Sequence, residues 1–420
     1  MKKRDFLKRI GQAAVISPFL PLNLHAQIET EPKPYPIGND DAFWKRIRED
    51  YALKPDYVNL ENGYYNFAPK PTLDKLIAHV KMVNYEGSHY MRTVQWDNKR
   101  RIADRLANLV GCKPEELVIT RNATESLDLI TGGFPWERGD EAIFAEQDYG
   151  AMQEHFKLMA DRYGIVNKII SVPNHPKSDE EIVSLYESQI THKTKLMMVC
   201  HMINITGHIL PIRKICDMAH SYGVEVMVDG AHCVGHIEVD IRALDCDYYG
   251  SSLHKWLSTP LGAGLLYVRK EKISKIWPLL AEHDREPDDI SRLNHTGTHP
   301  VHTDLAIDDA INYLEMIGMD RKEKRLRFIQ RYWSDQLRGQ ENIVINTPIE
   351  EHRSCGIANV GLKNMKPKEL AETLLNEFKI FTVAIDGANV HGCRITPNVY
   401  TTTEELDKFV AAMKTLAKRV

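Results

Sequence analysis

Between Leu117 and Tyr249 the chain alternates short apolar runs with longer amphipathic ones, and this alternation restricts the fold more than any other feature of the sequence. Leu117-Val118-Ile119, Ala142-Ile143-Phe144-Ala145, Leu196-Met197-Met198-Val199-Cys200 and Val226-Met227-Val228 are strand-length runs with no polar alternation, the pattern of strands buried on both faces. Between such runs lie helical patterns. Asp97 to Val110 carries apolar residues at 102, 106, 109 and 110 and stops at Gly111, and Pro211 opens a helix that ends near Tyr222; proline is tolerated at a first turn because its missing N–H has no partner there. Repeated strand, helix, strand calls for a mainly parallel α/β sheet with helices on both faces. A chain of 420 residues exceeds what one core holds. From about Met319 a long charged helix leads to a smaller α/β unit, with strands near 342–346, 355–362, 379–385 and 391–397 and helices at 366–378 and 402–419. We therefore expect a large domain over 56–318 and a small C-terminal domain over 319–420.

Two of the runs end in groups that can do chemistry. Val226-Met227-Val228 leads into Asp229-Gly230-Ala231-His232, and Asp247-Tyr248-Tyr249-Gly250-Ser251-Ser252-Leu253 leads into His254-Lys255. Buried parallel strands deliver their last side chains to the carboxyl edge of the sheet, where open α/β folds bind ligands. The separation of 26 positions (255 − 229) leaves room for one irregular excursion and one more strand, so acid and amine can share a site. A carboxylate that keeps a pyridine nitrogen protonated, beside a lysine that can form a Schiff base, is the pair that pyridoxal 5'-phosphate requires. No GxGxxG separates a strand from a helix and no P-loop occurs, which removes the nucleotide-binding fingerprints. At these residues the sequence resembles the class V aminotransferase family of fold-type I pyridoxal phosphate enzymes, most closely its branch named for isopenicillin N epimerase, with cysteine desulfurases and related lyases as cousins.

The resemblance runs from about Tyr57 to the C-terminus and implies a role for each of a set of residues. Lys255 carries the cofactor, Asp229 holds its ring nitrogen, and His232 lies close to its phenolic oxygen. Ser252 and His254 donate to its phosphate, as do the positions of Ala123 and Thr124; Tyr149 stacks on its ring; Asn204 approaches the phenolic oxygen and the substrate carboxylate. Arg394 grips the substrate α-carboxylate, Asn62 lies near the substrate, and Thr298 reaches the phosphate of a neighbouring subunit, which implies a homodimer with shared sites. The residues themselves permit plainer readings. Ala123-Thr124-Glu125 follows a strand and opens a helix, where unpaired N–H groups suit a phosphate but where Thr124 and Glu125 could serve only as a cap. Tyr149 could be core, and Asn62, before Gly63, a turn residue. Arg394, among apolar neighbours, needs an anion: a ligand carboxylate taken by two hydrogen bonds or a structural ion pair.

With the cofactor bound, the amine of Lys255 is expected to move a proton at the Cα of an amino-acid-type substrate. Transamination, elimination and epimerisation stay open. By the same resemblance, a persulfide-forming desulfurase would carry a cysteine on the loop before Arg394, and Lys379 to Gly392 contains none. Lys2, Lys3, Arg4, Lys8 and Arg9, the apolar run from Ile10 to Leu24, and Leu24-His25-Ala26 have the order of an export signal over 1–26. Lys3-Arg4-Asp5-Phe6-Leu7-Lys8 is similar to a twin-arginine signal with lysine in the first arginine's place. A periplasmic enzyme is expected, the alternative being a cytoplasmic one with a frayed terminus. Prolines 32, 34 and 36 read as a linker inside an N-terminal arm over 27–55. The formal charge of −4 and the absence of a basic cluster argue against nucleic acid, no run past the signal suits a bilayer, and the seven scattered cysteines lack metal-ligand spacing.

Overall fold

The computed structural model of the chain describes residues 40–280 and 284–420. The expected export signal and the proline-rich linker lie outside the described residues. Within the 27–55 arm, Asp40–Glu49 is a helix whose Phe43, Trp44 and Ile47, with Tyr51 after it, are buried in the main core. Helical spacing of those four apolar residues explains the packing, a signal that a linker reading of this stretch passes over.

Seven strands form the main sheet: β1 (Leu117–Thr120), β2 (Glu141–Ala145), β3 (Val166–Ile170), β4 (Thr194–Cys200), β5 (Glu225–Asp229), β6 (Tyr248–Ser252) and β7 (Gly264–Val268). Their order is β1-β7-β6-β5-β4-β2-β3, and β7 alone runs antiparallel to its neighbours. Consecutive residues separate to opposite faces. Met197, Val199, Val226, Val228 and Tyr249 join one core, while Leu196, Met198, Met227, Tyr248 and Phe144 join the other. Helices Ala123–Gly133 and Gly150–Tyr163 cover the second face with Leu127, Ile130, Met152, Phe156 and Met159; Gln95–Leu109 and Ile212–Ser221 cover the first. Double coverage is why these strands read as continuous apolar runs.

Register aligns the carboxyl edge. Cys200 pairs with Asp229 and Asp229 with Gly250, so the ends of β4, β5 and β6 lie side by side. β7 begins at Gly264, where a Cβ would stand 2.7 Å from the Asn122 backbone, the close approach that favours glycine inside a strand.

After helices Val301–Ile317 and Met319–Leu337, a four-stranded antiparallel sheet is built from β8 (Ile343–Ile345), β9 (Ala358–Leu362), β10 (Val383–Gly387) and β11 (Val390–Ile395), in the order β10-β11-β9-β8. The strand expected over 379–385 is two: Ile380–Phe381 pairs in parallel with Val58–Asn59, and β10 starts beyond Thr382. Ala388 and Asn389, both at positive φ, close the hairpin between β10 and β11 in two residues. The buried core around this sheet is continuous with one face of the main sheet.

Candidate active site

Asp229 ends β5 and is 4% exposed, with Oδ1 accepting the Ala231 N–H at 2.9 Å. Burial pushes its carboxyl up, and the Lys255 ammonium opposes the shift. A tight turn after β6 brings Lys255 back over the same edge, its own N–H reaching the Ser252 carbonyl at 3.4 Å. Burial brings the Lys255 ammonium down to about 8; Asp229 resists and the Arg394 cation adds to the depression. Each of Asp229 and Lys255 is perturbed by the other's charge, so they share one site.

His232 meets the amine. Its Nε2 is 3.0 Å from Lys255 Nζ, and its Nδ1 accepts the indole N–H of Trp256 at 3.2 Å. Burial and the nearby cations hold this imidazole well below its ordinary range, so it is neutral. A neutral ring that accepts at Nδ1 carries its proton on Nε2, which aims a donor at Lys255. Trp256 is fixed in turn: it is fully buried, His236 stacks on it at 3.7 Å between ring centroids, and the buried Lys322 ammonium donates to its carbonyl. His236 is itself locked, accepting the Gly356 N–H at Nε2 and facing the His232 carbonyl with Nδ1.

At the start of helix Ala123–Gly133, the Asn122 side chain caps by accepting the Glu125 N–H at 2.9 Å, and Ser252 Oγ accepts the Ala123 N–H at 2.9 Å. The cap is therefore Asn122, not Thr124. Among the described residues, the Thr124 N–H has no protein acceptor, and the buried Nδ1 of His254, two residues past Ser252, has no hydrogen-bond partner, the Ala263 backbone being the group that favours a proton on that ring. A buried polar atom without a partner carries a desolvation cost that a ligand removes, and a free N–H at a helix N-terminus selects for an anion. This donor set fits a phosphate, and Asp229 with Lys255 fits the ring and the aldehyde; the residues present suit pyridoxal phosphate.

Arg394 lies on β11, 7% exposed. Its Nη2 donates to Glu61 Oε1 at 2.6 Å, its Nε to Glu61 Oε2 at 3.2 Å, and its Nη1 to the Asn204 carbonyl at 3.3 Å. The structure thus shows an ion pair at the arginine expected to grip the substrate. Asn62 is fully buried and engaged by the protein: Nδ2 donates to the Thr396 carbonyl at 2.7 Å, and Oδ1 accepts from Tyr400 and Asn59. It positions its turn and offers no open face. Tyr149, 45% exposed ahead of helix Gly150–Tyr163, is not core, and Thr298 is exposed in the loop before helix Val301–Ile317. Sequence reasoning missed Glu61 and Trp256, although each adjoins a residue it singled out; an acid beside the Asn-Gly turn and an indole beside the lysine were the available signals. No group of histidine, cysteine and acidic residues among the described residues has the arrangement of a metal site.

The family model for class V aminotransferases matches residues 70–409. The chain belongs to the class V aminotransferase family. It is a fold-type I enzyme, and its cofactor is pyridoxal 5'-phosphate. Among curated relatives, an isopenicillin N epimerase of Amycolatopsis lactamdurans is 26% identical over 397 residues, covering 89% of this chain and 99% of that one. A probable cysteine desulfurase of Halobacterium salinarum is 25% identical, covering 91% and 97%. Among solved structures, the apo cysteine desulfurase of Thermococcus onnurineus NA1 superposes with a TM-score of 0.79 at 22% identity, covering 89% of this class V chain and 98% of the desulfurase.

Proposed function

We propose that Lys255 bears the cofactor of this class V enzyme and that its amine, once a substrate amine has replaced it, takes the proton from the Cα of an amino acid, in transamination or elimination. The observation that carries this reading is the neighbourhood of Lys255 Nζ: 3.0 Å from a neutral His232, with Asp229 on the adjoining strand end. An amine lowered to about 8 is a proton carrier matched to neutral solution. Bound there, the cofactor supplies an electron sink for the bond broken at Cα. Asp229 would face its ring nitrogen, the Thr124 N–H, Ser252 and His254 would hold its phosphate, Tyr149 would cover its ring, and Asn204 with His232 would border its phenolic oxygen. His232 keeps the reacting amine in place by donating from Nε2.

A cysteine that accepts sulfur must be reachable, and all seven cysteines are buried. Burial pushes the thiols of Cys112, Cys355 and Cys393 up to about 12, far from the thiolate that sulfur transfer needs. This argues against the persulfide route. Two chemical outcomes follow from proton removal, and a panel of L- and D-amino acids separates them. One 2-oxo acid per site without ammonia indicates transamination; continuous release of 2-oxo acid with ammonia indicates elimination. Solvent deuterium entering Cα with neither product would indicate epimerisation instead and refute this choice. Borohydride reduction should attach the cofactor mass to the peptide that holds Lys255, and Lys255→Ala should lose both that mass and turnover.

We also propose that the enzyme is a homodimer in which Thr298 of one protomer serves its partner's phosphate, and that residues 1–26 export it to the periplasm. Supporting the first is an exposed Thr298 on a polar loop; supporting the second is the basic, apolar, small-residue order of the N-terminus. Light scattering and N-terminal sequencing of the protein from fractionated cells test them.

A further inference from the structure

Arg394 already holds a carboxylate. Glu61 takes the Nη2 and Nε of its guanidinium, at 2.6 and 3.2 Å, while Nη1 goes to the Asn204 carbonyl, and each side chain of the pair keeps under a tenth of its surface in solvent, 8% and 7%. The turn carrying Glu61 is shaped for this contact. The Tyr64 N–H donates to Glu61 Oε1 at 2.9 Å, Asn59 Oδ1 accepts the Glu61 N–H at 3.3 Å, and Asn62 is pinned to Thr396 and Tyr400. Gly63 completes it: a Cβ there would stand 2.6 Å from Arg394 Cζ, so a larger residue would move the guanidinium off the turn.

One guanidinium balances one buried carboxylate. A second carboxylate entering beside Glu61 would leave a buried negative charge without a partner, which is costly. We propose that Glu61 is a specificity-determining residue of the Arg394 subsite: an internal carboxylate that a ligand carboxylate must displace, so that the enzyme selects amino acids whose remaining groups contribute enough binding to drive the exchange and discriminates against small monocarboxylates. The inference rests on Arg394 as the substrate-carboxylate residue, the role that the family resemblance implies for it. Displacement requires the Glu61 carboxylate to leave Arg394 and the Tyr64 N–H, with the Thr396 hydroxyl 3.5 Å from its Oε2.

Propionate tests it on the holoenzyme, because it offers a carboxylate and no amine that could react with the cofactor. Calorimetry should show weak binding to the wild type and a dissociation constant lower by roughly tenfold or more in Glu61→Gln, which retains an acceptor for the Tyr64 N–H but removes the competing charge. The gain should vanish in the Glu61→Gln, Arg394→Met double variant. Glu61→Asp, which retracts the carboxylate by one methylene, should give a smaller gain and serves if Glu61→Gln does not fold. Unchanged or weaker propionate binding in the single variants would overturn the proposal. With an amino acid that the panel above shows to turn over, Glu61→Gln should lower KM; a loss in kcat with KM unchanged would overturn the proposal too. A wild-type holoenzyme that turned over no amino acid of the panel would refute the proposed function instead, and the propionate measurement would still decide the role of Glu61.

Discussion

Replacing Trp256 by phenylalanine isolates the tautomer of His232. The indole N–H at 3.2 Å from Nδ1 is what leaves the imidazole proton on Nε2, facing Lys255 at 3.0 Å. Phenylalanine retains an aromatic face for the His236 stack but supplies no donor. The lost hydrogen bond is worth about 1 kcal/mol net, and the orphaned Nδ1 costs about 1–3 kcal/mol, so an unfolding free energy lower by about 2–4 kcal/mol is expected once the trimmed ring is included. The chemical effect is more specific. A donor aimed at the amine favours neutral Lys255, while the other tautomer presents a lone pair that favours the ammonium. Freed from Trp256, the ring can flip its proton, and the Lys255 pKa should climb from about 8 by up to about one unit, since one unit corresponds to about 1.4 kcal/mol. Only the neutral amine adds to an aldehyde. The rate at which cofactor-stripped protein captures pyridoxal phosphate, followed by absorbance at pH 7, should therefore fall by up to about tenfold, with the rise in the pH–rate profile displaced to higher pH. A Trp256→Phe profile that overlays the wild type, in a protein that still folds, would refute the claim that Trp256 sets the tautomer.

Gly230→Ala should be among the most damaging single changes, because the added Cβ would stand 2.0 Å from Tyr249 Cζ in a fully buried ring; thermal denaturation should show a loss of several degrees at least, or no folded protein. Lys322 is buried with its ammonium on the Trp256 carbonyl, and burial lowers it to about 7. Its folded value lies below its unfolded one, so the cost of burying its charge is present in full below about 7 and is relieved as pH rises towards the unfolded value of 10.5. Denaturant titrations from pH 6.5 to 9 should show stability rising with pH from this group, and Lys322→Met should flatten the slope; an unaltered slope contradicts the assignment.

Much of the site was legible because the parallel sheet converts a linear order into a spatial one. Asp229 and Lys255 are far apart in the chain, yet each terminates a doubly buried run, and adjacent strand ends of one sheet have nowhere to go but one edge. The helix N-terminus at Ala123 was legible for the same reason, although the cap proved to be Asn122 and the Ala123 N–H proved to be taken by Ser252, since a hydroxyl and an amide 129 positions apart announce nothing to each other locally. Helices Lys70–Glu86 and Val301–Ile317 went unread: Pro71 in the first looks like a breaker until it falls in the first turn, and the second is apolar on most of its surface. The Glu61 and Arg394 pair joins residues 333 apart and belongs to tertiary packing, where no local pattern reports it. Arg394 advertised its need for an anion; which anion was a question of folding.

The burial of every cysteine has a practical corollary. Maleimides and other thiol-directed labels should find almost nothing to modify in the folded chain, so a cysteine introduced on the exposed surface, for instance in place of Leu261 or Trp277, would be the sole reactive handle without a background of deletions. A fluorophore or spin label placed there would report on the native enzyme with its original interior intact.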